Sequence, residues 1–98
     1  EIASAVARYQ DAAQNLMLDV TRAYSDVRLA QATLAAQEQA VANLSEQQRF
    51  VDANVRNGFL TRTDLAQAEA RLAQARADLA NANTRLVAAN EAYRRLVG

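Results

Sequence analysis

The side chains able to do chemistry in this sequence are few, and their spacing points to binding rather than to catalysis. There is no His, Cys or Trp, so nucleophilic catalysis by Cys or His, Cys-based zinc sites and disulfide frameworks are excluded. The carboxylates Glu38, Glu46 and Asp52 fall on the polar positions of a regular pattern. A solvated face accounts for them, and no acid–base pair stands out. No cofactor and no metal ion is expected. The segment that breaks the pattern is Asn57-Gly58-Phe59-Leu60-Thr61-Arg62-Thr63-Asp64. Gly58 can take the positive φ that ends a helix. Phe59 and Leu60 are apolar residues at what must be a loop tip, where the chain has little of its own with which to cover them. They either offer a surface for a partner or cap the tip against Val55 or Leu65. Thr61 and Asp64 stand at capping-box spacing, with Asp in place of the preferred Glu or Gln, and Thr63 is the alternative N-cap. Asp64 also puts a carboxylate in the first turn, where the helix dipole favours it.

The elements that must position this tip are two long helices. Pro is absent, Gly occurs only at Gly58 and Gly98, and Ala makes up about a quarter of the residues; helix breakers are thus confined to two points. In the second half, Leu65, Leu72, Leu79, Leu86 and Tyr93 recur every seven residues. Ala68, Ala75, Ala82, Ala89 and Leu96 follow each of them by three. That is a heptad ladder of coiled-coil length, and a seven-residue period predicts a left-handed seam. One large and one small residue per heptad lets a partner helix approach closely.

The first half has the same period with interruptions. Val20, Val27, Leu34, Val41 and Val55 hold one seam position, Ala23, Ala30, Leu44 and Val51 the other, and Gln37 and Gln48 put polar groups on the seam. Tyr9, Leu16, Met17 and Tyr24 extend and broaden the apolar face upstream, as expected of a helix with more than one neighbour. The predicted fold is all-α: one long antiparallel coiled-coil hairpin over residues 1–98, with a helix at about 3–57, a tip turn at 58–62 and a helix at about 63–97. A connection that short forces the helices antiparallel. At ~1.5 Å per residue they would be roughly 80 Å and 50 Å long. Tyr24 and Tyr93 read as packing residues near the end remote from the tip.

The charges balance, 11 basic against 11 acidic, and every basic residue is Arg, so no field attracts nucleic acid or an anionic membrane. No apolar run is long enough for a transmembrane helix. The start, Glu1-Ile2-Ala3, has neither an initiator Met nor the basic and apolar regions of a signal peptide, which suggests an excised segment.

Read together, Leu16-Met17-Leu18-Asp19-Val20, Ala23-Tyr24-Ser25-Asp26-Val27, Arg49-Phe50, the tip from Asn57 to Leu65, the Ala/Leu ladder to Leu86 and the closing Tyr93-Arg94-Arg95-Leu96-Val97-Gly98 resemble the outer-membrane factor (TolC) family. The resemblance covers nearly the whole chain; the first ten residues match poorly. The run Thr61-Arg62-Thr63-Asp64-Leu65-Ala66-Gln67-Ala68-Glu69-Ala70-Arg71-Leu72 is more similar to the type I secretion subfamily than to drug-efflux members. The resemblance implies the periplasmic portion of a Gram-negative outer-membrane protein, and specifically the tip-bearing hairpin of the first of two internal repeats. Three protomers would together build a tunnel of twelve helices. Gly58, Phe59, Leu60 and Thr61 would meet a periplasmic adaptor (membrane fusion) protein allied to an inner-membrane transporter. Thr63 and Asp64 would cap the second helix, with Asp64 at an acidic position that helps close the aperture. Opening would realign the hairpins, with no enzyme activity, nucleic acid or direct membrane span in this segment. The missing β-strands and second repeat mean that this segment alone forms no pore. Two alternatives stand beside it: the α-hairpin of an adaptor protein, and a free-standing coiled-coil binding module. Arg56 and Leu60 are spaced like the start of an adaptor docking motif, but Gln67 stands where its Ser belongs.

Overall fold

A computed structural model describes all of residues 1–98. It contains two helices, α1 (Ile2–Arg56) and α2 (Arg62–Val97), and no strand, so the fold is all-α as the periodicity predicts. The hairpin is a rod of 84 × 18 × 13 Å. At ~1.5 Å per residue, α1 by itself accounts for that length.

The turn follows from its residues. Asn57 closes α1, and Gly58 takes φ +79°. This left-handed step lets the Phe59 N–H donate to the Asn54 carbonyl at 2.8 Å and the Gly58 N–H to the Val55 carbonyl at 3.1 Å. That is the paired pattern of a Schellman cap, which satisfies carbonyls that the helix end would otherwise leave open. No heavy atom lies within 4 Å of where a Cβ on Gly58 would sit. The requirement for glycine there is therefore conformational and not steric.

At the start of α2 the N-cap is Thr61 and not Thr63. The Asp64 N–H donates to Thr61 Oγ1 at 3.2 Å, and Asp64 Oδ2 accepts from the Thr61 N–H at 2.9 Å. A capping box at Thr63 would need a reciprocating side chain at residue 66, which is Ala; the box closes only in the earlier frame. Thr63 is an exposed residue within the first turn, and its assignment as a helix cap is corrected on that ground.

The core is one thin seam. Only Ala23, Val27, Ala68, Leu72, Ala75 and Ala82 are buried. Val20, Leu34, Val41, Leu65, Leu79 and Leu86 sit on the same line half-buried, as do Gln37 and Gln48. A seam between two helices has no third layer to cover its edges, so even its Leu residues reach solvent. The Tyr24 and Tyr93 rings stack obliquely at 6.1 Å between centroids, an arrangement aromatic pairs favour. The ion pairs Arg49–Glu46 and Arg56–Asp52 lie within α1 on the surface. Glu91 and Arg95, spaced for another, are not joined; exposed pairs of this kind contribute little in any case.

The chain exposes 7544 Å². A globular protein of its 10.7 kDa mass would expose about 5,500 Å². The excess is apolar in good part: Leu18, Leu29, Phe50 and Val87 all lie more than half exposed outside the seam.

Candidate functional site

The tip is the first candidate. The Schellman cap and the capping box hold its five residues, 57–61, rigidly between two helix ends. Phe59 ends up 77% exposed, while Leu60 is half-buried. Gly58, Phe59, Leu60 and Thr61 are thus brought together at the apex, with Thr61 and Asp64 joined and Thr63 apart. The two caps fix the main chain at the apex, while the Phe59 ring stands outside it with little of the chain around it.

The acidity of Asp64 departs from its ordinary value. Its pKa is lowered because the carboxylate accepts the Thr61 backbone N–H and, second, the Thr61 hydroxyl at 3.0 Å; both hydrogen bonds favour the charged form. A depressed folded-state pKa adds stability that is present above the unfolded value of 3.8 and fades as pH falls through the folded value. Acidification through that range is therefore expected to release the Thr61 N–H. Protection of the Thr61 amide, taken relative to the intrinsic exchange rate at each pH, should fall there in the native chain and be low at every pH in Asp64→Ala. Equal protection in both chains would show the box to be idle.

The second candidate is the flank of the rod. On α2, the residues Ala66, Ala70, Ala73, Ala77, Ala80 and Val87 repeat at spacings of four and three and are all exposed. They form a second small-residue ladder roughly 150° around the helix from the seam. On α1 the exposed apolar residues off the seam fall in patches, Leu18, Ala32 and Ala36, then Phe50 and Ala53, separated by Arg22, Ser25, Gln39, Asn43 and Glu46, with Leu29 at the rim of a groove shared with α2. Sequence reasoning fixed on the first ladder and passed over the second. The signal was the same seven-residue period, but Ala is also the default residue of an exposed helix. Between the helices, on one flank, short side chains at Thr33 and Ala40 leave shallow open grooves edged by Asp26, Asp78 and Arg85. They enclose no cavity of the kind that holds a small ligand.

No helix is long and apolar enough to cross a membrane. Among known families, the model described as outer membrane efflux protein matches residues 1–98. Comparison with curated proteins and with solved structures gives no match.

Proposed function

Since the chain belongs to the outer membrane efflux protein family, a family of channel and transport proteins, we propose that it is one wall hairpin of the periplasmic helical duct of an outer-membrane export channel. The observation that carries this reading is the apolar surface outside the seam. A hairpin that needed only itself would be polar everywhere except along its seam. Here α2 has a second small-residue ladder facing away from its partner, and α1 adds exposed apolar patches at Leu18, Ala32, Ala36, Phe50 and Ala53, the geometry of helices with a further neighbour outside the seam. Hairpins laid edge to edge in this way make a wall, and a closed wall makes a duct. In the full-length protein, a trimer would supply the twelve helices of the wall. Transport through it is passive conduction, driven by partners in the inner membrane. The family match speaks for the channel over an adaptor hairpin, and the Thr61–Leu72 run favours a type I secretion channel over a drug-efflux one.

In this reading the tip is the periplasmic end of the duct. Phe59 and Leu60, presented by the Gly58 cap, meet the adaptor that links the channel to an inner-membrane transporter, and Asp64 lies where the aperture closes. A photo-crosslinker placed at Phe59 in the full-length protein, within cells, tests it. Capture of a periplasmic adaptor is expected. Capture of nothing but other copies of the channel, with the protein folded, would remove the docking assignment.

A further inference from the structure

Of the Asn residues, Asn57 alone precedes a glycine, and its surroundings differ from those of Asn54 just upstream. The Asn54 side chain is half-buried, donates to the Phe50 carbonyl at 2.8 Å and is followed by the β-branched Val55. The Asn57 side chain stands exposed, with no hydrogen bond of that kind to hold it. The next residue has no side chain, and the space where its Cβ would sit is open. Only the turn itself therefore keeps the Gly58 backbone nitrogen from the Asn57 side-chain carbonyl carbon. Asn57 has ψ 0°, so the Gly58 nitrogen eclipses the backbone nitrogen of Asn57 and is turned away from its Cβ. Two bonds of the cap keep it there: the Gly58 N–H donates to the Val55 carbonyl and the Phe59 N–H to the Asn54 carbonyl.

We propose that Asn57 is a deamidation site at the tip, and that opening of the Schellman cap sets its rate. Helix ends open locally at far lower free energy than the whole fold, and once the cap is open ψ of Asn57 is free to rotate. The Gly58 nitrogen then attacks Asn57 Cγ. A C–N bond forms and the bond from Cγ to the side-chain nitrogen breaks. The Gly58 N–H proton passes by way of solvent to the departing group, which leaves as ammonia, and a cyclic succinimide remains in the chain. Water adds to either ring carbonyl. Breaking the new C–N bond leaves an aspartyl residue; breaking the original peptide C–N bond leaves an isoaspartyl one, with the main chain routed through Cβ and Cγ. Water is the only co-reactant, and nothing is oxidised or reduced. Both products place a carboxylate at the C-terminal end of α1, where the helix dipole disfavours it. The isoaspartyl link also lengthens the main chain by a methylene, so the paired bonds of the cap cannot re-form in register. The change is one-way, and it loosens the turn that carries Phe59.

The sequence brings its own assay. Arg49, Arg56 and Arg62 bracket the two residues, so trypsin releases Phe50–Arg56 with Asn54 and Asn57–Arg62 with Asn57 as separate peptides. The intact chain, folded or unfolded in guanidinium chloride, is incubated at mildly alkaline pH, digested, and read by mass spectrometry for the amide-to-acid shift. In the folded chain Asn57 should convert while Asn54 keeps its amide, and the converted peptide should appear as two products of equal mass, aspartyl and isoaspartyl. Unfolding should accelerate the loss at Asn57, because no cap then holds ψ. Gly58→Ala, compared in the unfolded state where the strain of a positive φ is irrelevant, should slow it, because a Cβ then crowds the attacking nitrogen. Loss at Asn57 that is absent from the folded chain, or no faster there than at Asn54, would overturn the site. Equal rates in the folded and unfolded chains would overturn the control by the cap. A single aspartyl product, or an unfolded Gly58→Ala chain that reacts as fast as the native sequence, would overturn attack by the Gly58 nitrogen. None of these results depends on the export reading, which the crosslink at Phe59 tests separately.

Discussion

Leu72→Ala should unfold most of the hairpin at room temperature. Leu72 is the one buried Leu, at 6% exposure, and it lies beside the Ala40–Leu44 stretch of α1, which shares a groove with Arg71 and Ala75. Truncating a buried Leu costs about 2–5 kcal/mol. A two-helix seam can partly collapse onto the gap or admit water, so the lower half of that range applies. Even so, marginal stability is the rule for chains this small, and a core of six buried residues leaves little to spare. The loss should be read as a fall in helical circular dichroism and in unfolding temperature. Leu29→Ala, at a site 66% exposed, is the matched control and should change stability by no more than about 0.5 kcal/mol. If the two substitutions proved equally mild, the seam would not be what holds the helices together.

The same seam shows how much of the molecule could be read in advance. Gly58 and the seven-residue ladders imply two helices, one reversal and an antiparallel pairing, because a single left-handed residue in a helix-forming chain has one physical use. The choice between Thr61 and Thr63 was open only so long as caps were judged one residue at a time. Asp64 can answer Thr61 and Ala66 cannot answer Thr63, so the box decides the frame. The outer ladder of α2 was harder to see. Its Ala residues are what a solvated helix would carry anyway, and only their exposure in a rod with a known inner face shows that they form a stripe. How bare Phe59 stands could not be read from its neighbours. Val55 and Leu65 were within plausible reach in sequence, but the Schellman cap turns the ring out beyond the rod's end, where neither can cover it.

Phe59→Asp should leave the hairpin intact and disable its tip. Because the ring is 77% exposed, replacing it removes almost no intramolecular contact, and the Schellman hydrogen bond from residue 59 is made by its backbone N–H, which Asp retains. Unfolding temperature and helix content should therefore stay as they are. The effect falls on association. An aromatic anchor at the centre of a contact typically accounts for about 2 kcal/mol or more, and that is roughly a thirtyfold loss of affinity. A carboxylate driven into an apolar pocket adds the cost of its own desolvation. In cells producing the full-length channel, export should drop to a small fraction of normal while the amount of channel in the outer membrane is unchanged. Gln67→Ala, on the exposed outer face of α2, should export normally. The two variants together separate docking from assembly: a channel that fails to accumulate in both would indicate a wall defect, and a Phe59→Asp channel that exports as well as Gln67→Ala would show that the exposed ring is not where the partner binds.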